Sequence, residues 1–444
     1  MTFLLFFLPL TFLVHAILPK RARTGWLLCQ SLVFYAVGEL RFLPLLILTA
    51  LWHYAAARLL TRFRRYRKPI LALAVIGSLA VLVYYKYAAF FLSLVGISFT
   101  APALPVGISF YTFQAISYTV DVYREDIRAT RSPTVFLAYL TLFPQLVAGP
   151  IVRYSEVESA LRERKLTWSG LSDGAFRFSL GLFKKLVFAD TLASFVSLYT
   201  QSAPTVLLAW LTAFAYMLEI YFDFSGYSDM AVGLGKLLGF DFPENFNYPY
   251  AAKSVTEFWR RWHITLSSFF KSYVYIPLGG SRCGRWRRCL NLLTVWLLTG
   301  LWHGASFTFV AWGLFYAILL ILEKTFGGIK GRFWGHAYLI LVTAVGFVFF
   351  EASSLSAAFG KLSVMLGIGA SLSDARTLTA CLDCLLFLLV SALCSTPILR
   401  AAAKRLLDGR GKAFVKAALT PACLLIAFCF LVGASSHPFL YFRF

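Results

Sequence analysis

Charge is scarce in this chain, and negative charge is scarcest. Only 14% of the 444 residues are charged, with 20 Asp and Glu against 42 Lys and Arg. Soluble domains of this length carry about 25%, so an all-polar surface is excluded. Nucleotide signatures are missing too. GLGKLLG at 233–239 has the wrong spacing for a dinucleotide fingerprint, and no Walker A sequence occurs. GYSDM at 226–230 lacks the closing glycine of a nucleophile elbow. Without a site for hydrolysing ATP, any group the protein transfers must arrive already activated. The eight cysteines do not make a zinc site. Cys381 and Cys384 share a helical face without further ligands nearby, and Cys283 and Cys289 flank a basic loop. All read as packing or inert thiols, and no metal is expected. No 20–50-residue repeat, low-complexity tract or long linker divides the chain. Residues 1–444 therefore read as one integral membrane domain.

Apolar residues fill the space that charge leaves. They make up 59% of the chain, and the mean hydropathy is +0.72. Runs long enough to cross a bilayer fall near 3–18, 26–37, 42–59, 69–92, 104–120, 180–199, 206–222, 338–350, 378–398 and 417–432. The expected fold is an all-α polytopic membrane protein with about ten crossings. Basic residues cluster between the runs, at 20–23, 58–68, 124–131, 153–165, 282–288 and 400–416. The positive-inside rule places all of these on the cytoplasmic face, with both termini and the tips at 38–40, 98–103 and 201–204 outside. This distribution explains the +22 net charge as topology, not as a nucleic-acid surface. Lys20, Arg21 and Arg23 follow the first apolar run, the reverse of a cleavable signal, so that run reads as a retained helix.

Two apolar segments break the alternation. Residues 136–150 (FLAYLTLFPQLVAGP) have basic clusters on both sides, and Pro144, Gly149 and Pro150 interrupt any long helix there. Residues 290–322 are overlong for one straight crossing and read as a bent pair turning near Gly300–Gly304. His303 sits at that turn. Broken backbone at depth needs protein or water around it, so His303 is expected at the base of a cavity. An ionisable side chain there is a functional candidate by default, and imidazole is suited to moving protons near neutral pH. Thr299 and Ser306 lie within a turn of it and are candidates to orient its ring. Gly300 and Gly304 form a GxxxG pair that admits close approach. Backbone amides at the same break are one candidate oxyanion stabiliser.

His263 lies forty residues earlier, which rules out a single-helix zinc pair of the HExxH kind. Thr256, Arg260, His263, Ser267 and Lys271 recur at spacings that predict one polar helical stripe. Trp259, Trp262, Leu266, Phe269 and Phe270 form much of the remaining surface, so the helix either lies in the interface, aromatic side toward lipid, or lines a wet pocket with its polar stripe. Glu219 and Asp223 share a helix face, and Asp229 follows an expected break at FSG. These carboxylates are expected in buried ion pairs, with Arg260, Arg261 or a histidine as partners. Asn245, Asn247, Pro243 and Pro249 mark an irregular loop at the cytoplasmic entrance.

Five blocks occur in order: AGPIVRY, FDFSGYSDMAVGLGKLLGFDFPENFNYPY, FWRRWHITLSSFF, YVYIPLGGSR and NLLTVWLLTGLWHGASFTFVAWG. The chain resembles the membrane-bound O-acyltransferase family, in its bacterial alginate and peptidoglycan O-acetylation branch. The resemblance covers roughly residues 146–324, and the closing FLYFRF is also similar. It implies a ring of tilted helices around a thin centre, with an outward funnel and a tunnel to the cytoplasm. His303 matches the family's catalytic histidine and His263 a second one. Arg260, Arg261, Trp302, Asp223, Asn245, Thr299 and Ser306 are the further substrate or tunnel candidates.

The expected activity is transfer of an acetyl group from a cytoplasmic thioester, acetyl-CoA or similar, toward an exported polysaccharide. No tightly bound cofactor is expected. The chain carries no appended esterase-like domain, so an extracytoplasmic partner protein would complete the transfer. The location implied is a bacterial inner membrane. D-alanyl transfer toward teichoic acids is the alternative within the family. A secondary transporter with broken helices and an inactive scaffold are the alternatives outside it.

Overall fold

The computed structural model describes residues 2–201, 204–329, 331–406 and 409–433. The FLYFRF run, the C-terminus and part of the 201–204 tip lie outside them. All regular elements among the described residues are helices, as an all-α membrane protein requires. They group into two compact units, one of residues up to 178 with 230–244, the other of 179–229 with the residues from 245 on.

The first unit holds α1 (Leu8–Ile17), α2 (Arg23–Glu39), α3 (Leu43–Arg62), α4 (Arg67–Leu82), α5 (Ala88–Leu94), α6 (Ile108–Arg124), α7 (Pro133–Thr141), α8 (Phe143–Leu146), α9 (Tyr154–Arg162) and most of α10 (Trp168–Phe183). Helix α6 is buried along nearly its whole length and packs against α3 and α4. His53 on α3 is a satisfied core histidine, its two ring nitrogens each 2.7 Å from a hydroxyl, on Thr119 and Ser78. The expected interruption at 136–150 is present. Helix α7 stops at Thr141 and α8 starts at Phe143, with Pro144 in its first turn. The broken backbone finds side-chain partners: Ser31 Oγ accepts from Phe143 N–H and the Gln145 amide donates to the Tyr139 carbonyl. Gly107 starts α6 at φ 76°, where a Cβ would lie 2.6 Å from the Leu146 carbonyl oxygen.

The second unit contains α11 (Asp190–Gln201), α12 (Val206–Leu237, to residue 229), α13 (Val255–Arg261), α14 (Ile264–Phe270), α15 (Arg285–His303), α16 (Phe307–Phe326), α17 (Arg332–Glu351), α18 (Leu355–Met365), α19 (Ala375–Cys394), α20 (Ile398–Leu406) and α21 (Gly409–Gly433).

Among the described residues, seven helical runs are long and apolar enough to cross a membrane: Arg23–Arg62, Arg64–Leu94, Val206–Leu237, Phe307–Phe326, Arg332–Glu351, Ala375–Cys394 and Gly409–Gly433. Relative to the ten expected, Phe307–Phe326 is added from the bent pair, and the span expected at 104–120 is replaced by the shorter α6 of 17 residues. The expected spans 26–37 and 42–59 belong to one run, and the first is a shorter apolar helix, Phe3–Ile17. The span expected at 180–199 is interrupted by a π-helical turn, Lys184–Ala189. The break expected at FSG is absent, and α12 runs through it unbroken. Gly226 serves packing instead: a Cβ there would lie 2.8 Å from the Gly181 carbonyl oxygen.

Candidate active site

The two histidines belong to the same unit. Helix α15 ends on His303, Gly304 is extended, and Ser306 opens α16 by accepting from Thr308 N–H. This is the bend expected near Gly300–Gly304, and the glycines make it tight. A Cβ on Gly300 would meet the Phe309 carbonyl oxygen at 2.3 Å, and one on Gly313 the Trp296 carbonyl oxygen at 2.4 Å. Helices α15 and α16 therefore touch backbone to backbone just before His303. Thr299 and Ser306 do not take the ring-orienting role expected of them. Thr299 Oγ1 donates to the Val295 carbonyl at 2.7 Å, and Ser306 Oγ meets Thr308 N and Oγ1. Hydroxyls at these positions find the nearest backbone first.

The segment around His263 differs from its sequence pattern. The expected stripe from Thr256 to Lys271 is cut in two. Helix α13 stops at Arg261, Trp262 is extended, and His263 takes the left-handed conformation at φ 44°, ψ 55° before α14 begins. A non-glycine residue there costs about 1–2 kcal/mol, and Asn245 offsets it. Its backbone carbonyl accepts from Ile264 N–H at 3.0 Å. Its Oδ1 lies 3.1 Å from His263 Nδ1 and accepts from Thr265 N and Oγ1 at 3.2 and 2.9 Å. The loop at 245–247 is thus the clamp of the break. The aromatic residues of the stripe are core, not lipid-facing. Trp259, Trp262, Leu266, Phe269 and Phe270 are all buried, and Trp259 packs on Trp296, Trp312 and Tyr316.

These two local breaks bring the histidines to one place. The Trp302 ring lies 5.7 Å from His263 and 4.8 Å from His303, so both histidines contact one indole. His263 is 1% exposed and His303 5%. Phe224 meets the His263 ring edge-on at 4.7 Å. Trp312 and Phe350 each lie 5.0 Å from the His303 ring, and Phe309 6.3 Å.

The other candidates fall elsewhere. Arg260 is exposed. Arg261 pairs with Glu257 at 2.6 Å and reaches the Asn247 carbonyl. Burial raises the Glu257 carboxyl, but the Lys253 N–H and the Arg261 guanidinium outweigh it and hold the group below its usual range. Of the three buried carboxylates expected in ion pairs, Asp223 and Asp229 form them, with lysines as partners where arginines or a histidine were expected. Asp223 and Asp190 hold Lys185 at 2.6 and 2.8 Å, and Asp229 holds Lys184 at 2.7 Å. The π-helical turn carries both lysines and aims them at α12. Two lysines inside an apolar run were the signal for this pairing, since charges at depth need partners.

Sequence reasoning missed Glu323. From the far end of α16 it accepts from Val255 N at 2.6 Å, Thr256 N at 2.9 Å and Thr256 Oγ1 at 2.7 Å. One helix therefore packs beside His303 at its start and fixes the segment leading to His263 at its end. Among the described residues no His, Cys, Asp and Glu group is arranged to hold a metal ion.

Residues 37–350 match the sequence model of the membrane-bound O-acyltransferase family. The probable alginate O-acetylase AlgI of Pseudomonas putida is 41% identical over 387 residues, which cover 83% of this chain and 79% of that protein. The peptidoglycan O-acetyltransferase of Helicobacter pylori is 33% identical over all of this chain and 96% of its own length. A teichoic acid D-alanyltransferase of Bacillus subtilis is 27% identical over half of the chain. With that family match and those identities added to a helical membrane architecture, this chain belongs to the membrane-bound O-acyltransferase family and is a multi-pass acyltransferase.

Proposed function

We propose that the protein takes an acetyl group from a cytoplasmic thioester, acetyl-CoA or a close equivalent, and passes it toward hydroxyls of an exported polysaccharide of the alginate or peptidoglycan class. An extracytoplasmic partner protein receives the group, and the site of action is a bacterial inner membrane. The observation that carries the reading is that His263 and His303, both buried, contact the same buried indole, Trp302. The names of the relatives that align over most of this chain favour acetyl as the group moved.

The chemistry follows from a neutral imidazole. His303 takes the proton of the accepting hydroxyl as its oxygen attacks the thioester carbonyl. The tetrahedral adduct collapses, the C–S bond breaks, and the imidazolium returns the proton to the leaving thiolate. An oxygen ester and a thiol result. His303 ends a 19-residue helix, so the negative end of the helix dipole faces the positive charge that its ring gains in the attack. The aromatic neighbours keep bulk water from competing as acceptor.

The test is His303→Ala in cells, with the envelope polymers treated with mild base and the released acids measured. Losing the proton carrier is expected to cut released acetate by about 10²-fold or more at unchanged membrane levels of the protein. Normal acetate from a well-expressed variant removes the assignment. Release of D-alanine in place of acetate moves the reading to the D-alanyl branch.

A further inference from the structure

A groove of about 520 Å³ opens between α11 and α19, lined by Ser194, Phe195 and Leu198 on one side and Arg376, Thr379 and Asp383 on the other. Arg376 and Asp383 are seven residues apart, which puts them two turns apart on one face of α19. Both are exposed, and no ion pair among the described residues includes either of them. The Thr379 and Ser194 hydroxyls are spent on their own helices, on the carbonyls of Ala375 and Asp190. Yet α19 is among the most apolar helices long enough to cross the membrane. With the basic 400–416 stretch on the cytoplasmic side, it starts at the outer face.

Depth makes Asp383 informative. It lies eight residues into α19, about 12 Å below the outer end. Arg376 can extend its long side chain to the interface, whereas an aspartate has no such stem. A carboxylate facing lipid near mid-membrane is costly and is kept where something pairs with it. A phospholipid does not meet that need, because its charged headgroup stays at the interface and its chains fill the depth. The exposed Leu378, Leu382 and Leu386 alongside offer the apolar contact that a helix needs.

We propose that this groove docks a membrane-spanning helix of a second protein. That helix carries a Lys or Arg opposite Asp383 and, two turns nearer the outer face, an acidic residue opposite Arg376. Only in identifying the helix as the membrane anchor of the external acetyl acceptor does this rest on the reading above. The groove positions the acceptor protein at the outer face, away from the histidines themselves.

The experiment places Asp383→Lys and Asp383→Leu in the full chain in its native membrane. Envelope acetyl esters are measured in cells, and acetyl-CoA turnover is measured on the purified variants with a small soluble alcohol, glycerol, supplied as the acceptor. Both substitutions are expected to lower envelope esters roughly tenfold, the scale of one lost polar contact between membrane helices, with turnover by the purified protein unchanged. Reversing a single Lys or Arg to Asp or Glu in the spanning helix of another envelope protein is expected to restore esters in the Asp383→Lys strain. A photo-crosslinker at position 382 is expected to capture that same protein. Asp383→Leu keeps the test decisive should the lysine variant fail to insert, since it only removes a charge from a lipid-facing helix. Unchanged esters, crosslinks to phospholipid alone, or equally slowed turnover in purified Asp383→Leu would each overturn the proposal. Failure of the acetyl-transfer reading has a different signature: no acetyl-CoA turnover by the wild-type protein.

Discussion

Gly300→Ala tests the geometry around His303 without touching the histidine. The added methyl would sit 2.3 Å from the Phe309 carbonyl oxygen and 3.1 Å from its carbon. Ordinary contact needs about 3.4 Å, so α15 and α16 must part by roughly 1 Å over the turn that ends at His303. A backbone oxygen cannot rotate away as a side chain can. Helix propensity pulls the other way, since alanine is favoured over glycine by about 1 kcal/mol. Overpacking of a close contact costs about 1–3 kcal/mol, so the net loss of stability is small and the protein still folds. A displacement of that size near the reacting groups costs about 10²-fold in rate. The expected result is a modest fall in the melting temperature of the detergent-purified protein and a near-complete loss of envelope acetyl esters. Gly360→Ala, where nothing lies within 4 Å of the new carbon, is the control and is expected to behave as wild type. Wild-type ester levels in Gly300→Ala would refute the claim that the close α15–α16 contact sets the position of His303.

Asn245→Ala strips one acceptor from three donors, His263 Nδ1, Thr265 N and Thr265 Oγ1. Leaving buried donors unmatched is expected to cost about 3 kcal/mol in all, read by thermal unfolding, whereas Asn245→Asp keeps the accepting oxygen and loses less. Asp223→Leu takes one carboxylate from the buried Lys185 and leaves Asp190 beside it. Breaking a buried pair costs about 3–5 kcal/mol; the double variant Asp223→Leu/Lys185→Met is expected to be more stable than Asp223→Leu alone, and the reverse order would show that the pair is not what holds the π-helical turn. Glu323→Ala removes the acceptor at the start of α13 and is expected to cost about 1–2 kcal/mol, with Glu323→Gln recovering part of it in the same melting assay.

The α15–α16 bend was legible because its causes are local. Gly300, Gly304 and Gly313 permit the close approach, Ser306 caps the second helix, and the combined length exceeds one crossing. The interruption near Pro144 was legible for the same reason. The break at His263 was not. No glycine or proline marks residues 261–264, the polar spacing there fits a helix, and the hydrogen bonds that stop it come from Asn245, eighteen residues upstream. Long-range partners are invisible to periodicity. The same limit hid Glu323, which acts on Val255 and Thr256 from 68 and 67 residues away. It also left open what covers the aromatic residues beside His263. An amphipathic pattern places Trp259 and Trp262 on one face but does not say whether lipid or protein covers that face, and here Trp296, Trp312 and Tyr316 do. In the same way, the buried charges of α12 were readable as needing partners, while their choice of lysine over arginine depended on a π-helical turn that no spacing rule predicts.

The geometry divides labour between the two histidines more sharply than the sequence did. Asn245 Oδ1 accepts from Thr265 N and Thr265 Oγ1, which fixes that atom as the amide oxygen. His263 Nδ1, 3.1 Å from the same oxygen, must then carry the hydrogen, and the ring is held in one tautomer. Its orientation is set further by Phe224 on one side and Trp302 on the other. A ring so fixed packs against Trp302, which in turn contacts His303. His303 has the opposite setting: it stands at the end of its helix, at the turn where the backbone opens into Gly304. In the proposed mechanism, proton transfer is given to the histidine at the bend. The strained one, locked by a loop eighteen residues away, keeps the wall beside it in register.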